Sequence, residues 1–211
     1  MEMSKRYQNY IEGLYREDDS IKRRCFIDKT GWKDFVPVVD DDVARFLRLM
    51  LQIKKPMKIL EIGTSIGFST TSMALIAKDY GGTIRTIEYD KIAYEQANTN
   101  FMKSGVDHVV DIIYGDAREI IPSFADNSFD FIFQDVDKRL YPELLQECIR
   151  VLKAGGIFIA DDTLFPVMTL DNKWKNQIEP INTFNHLVAG TVQLDSTLLP
   201  IGDGIMVSVK K

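Results

Sequence analysis

From about residue 40 onward, short β-rich apolar runs alternate with segments of helical pattern. Runs at 58–62, 83–87, 109–114, 129–135 and 156–161 read as strands, with helices expected over 69–78, 91–104, 117–123 and 142–152. That rhythm predicts βαβ units and a mainly parallel sheet. Asp90 is placed to cap the second of these helices and Gly105 to stop it. Upstream, Val43, Phe46, Leu47, Met50 and Leu51 form one face of an amphipathic helix, which Pro56 ends. Tyr7, Tyr10, Ile11 and Leu14 make a shorter stripe near the start. At the other end, the runs 191–198 and 204–209 are separated by Leu199-Pro200-Ile201-Gly202-Asp203, with no room for a crossover helix, so they must be antiparallel. The segment 166–185, rich in Pro, Asp, Asn and Lys, reads as a long surface loop with some helix. The expected architecture is a doubly wound α/β domain over 1–211, with a helical segment 1–40 preceding a core 41–211.

Composition narrows this picture only a little. A chain of 211 residues can bury one sizeable core. Its net charge of -5 argues against a general affinity for nucleic acid, which needs a basic face. The two cysteines, Cys25 and Cys148, lack metal-ligand spacing, and Cys148 falls on the apolar face of an expected helix. The polar start lacks the apolar core of a signal peptide, and no run approaches the roughly 20 apolar residues of a membrane span. The expectation is a cytoplasmic protein without a membrane partner.

Lys58-Ile59-Leu60-Glu61-Ile62-Gly63-Thr64-Ser65-Ile66-Gly67 reads as a strand, a glycine loop and a helix start. Glycines there permit a sharp turn and close approach to a ligand. A dinucleotide fingerprint would need its second glycine where Ser65 stands; the pattern here is E-x-G-x-x-x-G. Glu61 suits a cationic ligand better than a pyrophosphate. S-adenosylmethionine has an ammonium, a sulfonium and no phosphate, so Glu61, Gly63, Thr64, Ser65 and Gly67 are candidate contacts. Glu88, ending the second strand, can accept hydrogen bonds from both ribose hydroxyls, and Asp116, after the third, can meet the adenine amino group. Ligands of such sheets bind at the carboxyl ends of the strands.

The next two strands end in charge, at Asp135-Val136-Asp137-Lys138 and at Asp161-Asp162. If the strands are adjacent, Asp135, Asp161 and Asp162 converge, and they repel unless a positive group lies between them. An all-oxygen set favours a hard divalent cation, Mg²⁺ first, with Ca²⁺ or Mn²⁺ as alternatives. The other reading is that these acids cap loops at the strand ends. Neither His108 nor His186 has a metal-like partner, which leaves Lys138 as the natural proton acceptor, its pKa lowered by a nearby cation. A surface ion pair with Asp137 is the alternative for Lys138.

Together, the segments KILEIGTSIGFS, TIEYD, GDAREIIP, FDFIFQDVDK, LKAGGIFIADDTLF, Phe184-Asn185 and PIGDGI resemble the class I, cation-dependent O-methyltransferases. That family includes catechol and caffeoyl-CoA O-methyltransferases. The resemblance runs from about residue 36 to the C-terminus and is strongest to bacterial members, some of which methylate 5-hydroxyuridine in the tRNA wobble position. It implies a seven-stranded sheet whose last pair contains an antiparallel strand. It further implies that Glu61, Gly63, Ser69, Glu88, Asp116 and Ala117 hold S-adenosylmethionine, that Asp135, Asp161 and Asp162 bind the metal, and that Lys138 acts as base. Asp135 counts also among the catalytic and cofactor-binding positions. A homodimer and N-terminal substrate-side helices are implied as well. The chain departs from the family in having Asp162 where Asn is usual, and Gln134 where an aliphatic residue is usual; Gln134 should point away from Asp135. The expected activity is methyl transfer to a hydroxyl of a metal-chelated, catechol-like small molecule. The alternatives are a tRNA 5-hydroxyuridine methyltransferase and a non-catalytic adenosylmethionine-binding protein, with an NAD-dependent oxidoreductase disfavoured by Ser65.

Overall fold

The computed structural model describes residues 10–11, 13–15, 21–30 and 37–211. In chain order they form α1 (Arg23–Thr30), α2 (Asp41–Lys54), β1 (Lys58–Ile62), α3 (Phe68–Ala77), β2 (Thr83–Glu88), α4 (Lys91–Ser104), β3 (Val110–Tyr114) and α5 (Ala117–Ile120). There follow β4 (Phe129–Gln134), α6 (Tyr141–Val151), β5 (Leu152–Ala160), α7 (Ile178–Gly190), β6 (Leu194–Leu199) and β7 (Ile205–Lys210). The seven strands make one sheet in the order β3-β2-β1-β4-β5-β7-β6. β1 to β5 are parallel, whereas β7 runs antiparallel to both β5 and β6.

Alternation along the strands sends side chains into two cores. Ile59, Phe131, Phe133, Ile157 and Ile159 pack with Leu47, Leu51, Phe68 and Phe101 on one face. Leu60, Ile62, Ile132, Phe158 and Ala160 pack with Tyr141, Leu144, Cys148 and Phe184 on the other. Sequence chemistry sets the helix ends. The Asp90 side chain accepts from the N–H groups of Ile92 and Ala93 at 2.9 Å, and Gly105 closes α4 with φ 64°. Lys55, in the left-handed region, donates its N–H to Leu51 and stops α2 before Pro56.

Three expectations need correction. β5 starts at Leu152, ahead of the expected 156, because Leu152 already pairs with Phe129 across an irregular register. Residues 178–190 are the helix α7, which takes up the end of the segment 166–185 read as a long loop with some helix and runs beyond it; Ile181, Phe184 and Val188 are its buried side. Asp135 and Asp161 lie just past their strands, which end at Gln134 and Ala160. Of the N-terminal stripe, Tyr7 lies outside the described residues, and Tyr10, Ile11 and Leu14 are exposed. Among the described residues no helix is long and apolar enough to cross a membrane. Cys25 and Cys148 are free thiols.

Candidate active site

The strand order lines up the candidate groups along one rim. Reading across, Asp116 follows β3, Glu88 ends β2, the glycine loop follows β1, Asp135 follows β4, and Asp161 and Asp162 follow β5. The sheet reverses its winding between β1 and β4, which is where ligands of this architecture bind. A groove of about 410 Å³ at the amino ends of β1 to β4, lined by Lys58, Thr83, Arg85 and Phe124 among others, contains none of these residues. Strand polarity, not cavity size, locates the site.

The glycine loop is shaped largely by the protein's own packing. A Cβ on Gly63 (φ 97°) would lie 2.1 Å from the Asp135 carbonyl oxygen, and one on Gly67 (φ 86°) would lie 2.5 Å from the Phe101 ring. Gly63 therefore lets β1 and β4 deliver their ends to the same point. Between them, Ser65 adopts φ 49°, a conformation that costs a non-glycine residue energy. The N–H groups of Thr64 and Ser65 donate to Glu88 Oε2 at 3.1 and 2.7 Å, and Asp90 N–H donates to Oε1 at 2.8 Å. Three of the roughly four lone-pair positions on this carboxylate are thus in use. Asp116 caps α5 through Arg118 N–H at 2.9 Å and pairs with the Arg118 guanidinium at 2.6 Å, which holds its carboxyl below the usual range; Ala117 is buried beside it.

Glu61 sits behind the loop, fully buried. Its carboxylate accepts from Ser69 Oγ at 2.6 Å, Thr86 Oγ1 at 2.7 Å and Thr70 Oγ1, while Thr64 and Thr86 share a hydroxyl contact of 2.6 Å. Burial drives its pKa up to about 7, against the opposing pull of the three hydroxyls. Three of its roughly four lone-pair positions are taken by protein hydroxyls, which brace Glu61 beneath the loop.

At the other end of the rim, Lys138 Nζ lies between two carboxylates, 2.5 Å from Asp135 Oδ1 and 2.8 Å from Asp162 Oδ2. The lysine is 5% exposed. Burial opposes its charge, but Asp135 and Asp162 outweigh that and hold its pKa well above the ordinary lysine value. In this arrangement Lys138 is a held cation; the lowered pKa expected from the sequence is the effect of a neighbouring metal ion. Burial first, then Asp162 and Asp135, push Asp161 far above the carboxylate range, and Asp162 is raised by burial too. Tyr141 OH donates to the carbonyls of Gln134 and Asp161 at 3.0 and 3.2 Å, tying the two strand ends together. Gln134 itself points to the opposite face, with its Oε1 against the Cys148 thiol at 3.5 Å and its buried Nε2 without a partner.

The sequence reading missed the acids around this end. Arg23, opening α1, pairs with Asp40 and donates its N–H to Asp41 at 2.7 Å; Gly202 N–H meets Asp42 at 3.3 Å. Leu164 N–H donates to the Asp203 carbonyl at 2.9 Å, bringing the β6–β7 turn beside Asp162. Burial, then Asp162 and Asp40, lift the Asp203 carboxyl to about 6. The run Asp40-Asp41-Asp42 was the available signal, although nothing local ties it to residues 160 positions away.

All-oxygen donors of this kind suit a hard divalent cation in chemistry. Among the described residues, however, no three His, Cys, Asp or Glu side chains are arranged as a formed metal-binding group.

A doubly wound sheet with a glycine loop and acids at successive strand ends belongs to the α/β class of proteins that bind ligands at the carboxyl ends of their strands. Within that class, the chain belongs to the O-methyltransferase family, whose sequence profile matches residues 22–211. It is similar to a caffeoyl-CoA O-methyltransferase of Stellaria longipes, 31% identical over 173 residues that cover 77% of this chain and 71% of the relative. It is also similar to a catechol O-methyltransferase of Niastella koreensis, 32% identical over 177 residues, 82% of this chain and 77% of that one. Its fold matches that of an O-methyltransferase from Bacillus cereus solved in complex with SAH, at a TM-score of 0.82 and 23% identity over 96% and 97% of the two chains.

Proposed function

We propose that the protein moves the methyl group of S-adenosylmethionine to a hydroxyl oxygen of a small, catechol-like acceptor, with a divalent cation held by Asp135, Asp161 and Asp162. The observation that supports this most directly is the gathering of those three carboxylates and Lys138 beside the glycine loop. S-adenosylmethionine supplies a methyl group on a positively charged sulfur, and the cation, when bound, supplies a Lewis acid that favours the ionised hydroxyl. The loop residues Gly63, Thr64, Ser65 and Gly67 would seat the cofactor, with Glu88 on its ribose and Asp116 and Ala117 near its base. Because Glu88 already accepts three backbone N–H bonds, it has about one acceptor position left for a ribose hydroxyl.

In the reaction an O–CH₃ bond forms as the S–CH₃ bond breaks, and the hydroxyl proton passes to Lys138 Nζ once that ammonium has given its own proton to solvent. That role requires the amine first to part from Asp135 and Asp162. Holding the two reactants in register supplies much of the rate, since effective molarities reach about 10⁵ M or more. Asp40, Asp42 and Asp203 surround the acceptor end with negative charge, which disfavours a tRNA acceptor through phosphate repulsion. The reading includes a cytoplasmic location and a homodimer, the latter open to sedimentation analysis.

Transfer of labelled methyl to a panel of catechols, with chelator and with added Mg²⁺, tests the proposal. The wild type should show metal-stimulated transfer. Asp135→Ala should lose at least about 100-fold of it while binding S-adenosylmethionine nearly as well. Unchanged turnover in that variant removes Asp135 from the mechanism. Methylation of hydroxyuridine in tRNA, without transfer to any catechol, would replace the small acceptor.

A further inference from the structure

The Lys138 ammonium stands between the two carboxylates that the proposed metal also needs. Nζ lies 2.5 Å from Asp135 Oδ1 and 2.8 Å from Asp162 Oδ2. A divalent cation held by those same oxygens would compete with the nitrogen for them. Like charge adds to the competition. The second contact exists because residue 162 is an aspartate: an asparagine there would offer a neutral oxygen instead of a counter-ion. The lysine is also enclosed, its side chain 7% exposed and its Nζ 5.1 Å from the centre of the Tyr141 ring. Its flexible four-carbon stem nevertheless allows Nζ to withdraw without moving the backbone.

We infer that Lys138 is a built-in counter-cation of Asp135 and Asp162, and that a divalent cation binds there only by displacing its Nζ. The inference rests on the metal reading given above and adds a competition to it. Without metal, the ammonium keeps two adjacent carboxylates from repelling one another. With a metal bound by Asp135 and Asp162, the same ammonium would have to leave those carboxylates. Metal affinity is therefore set partly by the contacts Lys138 must give up.

The test is Mn²⁺ binding to the full chain, followed by the electron paramagnetic resonance of free Mn²⁺, for the wild type and Lys138→Met. Methionine keeps most of the stem and removes the charge. The variant is expected to bind Mn²⁺ at least about tenfold more tightly, a difference of about 1.4 kcal/mol. Equal or weaker binding by a folded variant overturns the inference. If Lys138→Met does not fold, reductive methylation of wild-type lysines, read by peptide mass spectrometry, decides. Labelling of Lys138 should rise several-fold at saturating Mg²⁺, and unchanged or slower labelling overturns the inference. Mn²⁺ binding without any gain in the variant defeats only the competition. No Mn²⁺ binding by either protein defeats the metal reading as well.

Discussion

Glu61 offers the sharpest physical test of how the site is supported. It is a carboxyl with no exposed surface and, among the described residues, no cation paired with it, held by three hydroxyls. Burial raises its pKa to about 7 in the folded protein, from 4.5 when exposed. Between those values the folded state binds a proton that the unfolded state has lost, so stability must fall as pH rises. The stabilising contribution is complete below about pH 4.5 and gone above about pH 7. At about 1.4 kcal/mol per pH unit the gap is worth about 3 kcal/mol, of which about 2.5 kcal/mol disappears between pH 5 and pH 8. Glu61→Gln has the same shape and no titration, and the hydroxyls of Ser69, Thr70 and Thr86 can rotate to serve an amide.

Urea unfolding of both proteins, followed by far-ultraviolet circular dichroism at pH 5, 6, 7 and 8, measures the effect. Asp161, Asp203 and every other titrating group are common to both chains and cancel in the difference. The variant should gain about 2.5 kcal/mol on the wild type from pH 5 to pH 8, with equal denaturant slopes. A flat difference would show that Glu61 ionises freely, and the account of its enclosure would fail. A difference of opposite sign would mean that the three hydroxyls outweigh burial.

Two further substitutions probe the neighbouring packing. Gln134→Leu removes a buried amide nitrogen without a partner and should stabilise the fold by about 1 to 2 kcal/mol, raising Tm by several degrees in a calorimeter; a loss of stability would mean the Cys148 contact matters more. Gly63→Ala combines a left-handed backbone with a Cβ 2.1 Å from the Asp135 carbonyl, whereas Gly105→Ala meets only the backbone strain. The first should cost at least about 2 kcal/mol more than the second in urea unfolding, and equal costs would remove the close approach from the argument.

The sequence was legible where single residues dictate local chemistry. Asp90 and Gly105 bracket α4 because a capping side chain and a left-handed glycine leave little freedom. α7 was hidden: Pro180 and two asparagines interrupt a pattern that Ile181, Phe184 and Val188 nevertheless keep, and proline is tolerated there because it lies in the first turn. β5 began early because Lys153-Ala154-Gly155-Gly156 looks like a turn until Leu152 finds Phe129. The acids of the rim could be placed because strand ends follow from the pattern. Their partners could not. Thr86 reaches Glu61 only through the β1–β2 register, and Lys138 reaches Asp162 only once β4 and β5 are neighbours.

Those partners divide the rim by the way each negative charge is offset. On the cofactor side backbone N–H groups serve Glu88, an N–H and the Arg118 guanidinium serve Asp116, and three hydroxyls serve Glu61, whose pKa burial raises. The backbone N–H groups among these are fixed by the fold and cannot leave. On the acceptor side the charges are offset by side-chain cations, Lys138 for Asp135 and Asp162, and Arg23 for Asp40. Long side chains of this kind can exchange with an incoming ion, while Asp161, which accepts the Asp162 N–H at 2.8 Å, and Asp203 keep carboxyls that burial raises. A cation arriving among them gains from charges that the fold has only partly met, whereas one arriving beside Glu88 would find three of its roughly four lone-pair positions taken. The asymmetry follows from the strand order and gives the two ends of one rim different chemistry: a rigid seat for a preformed cofactor, and an exchangeable electrostatic site where an oxygen must become a nucleophile.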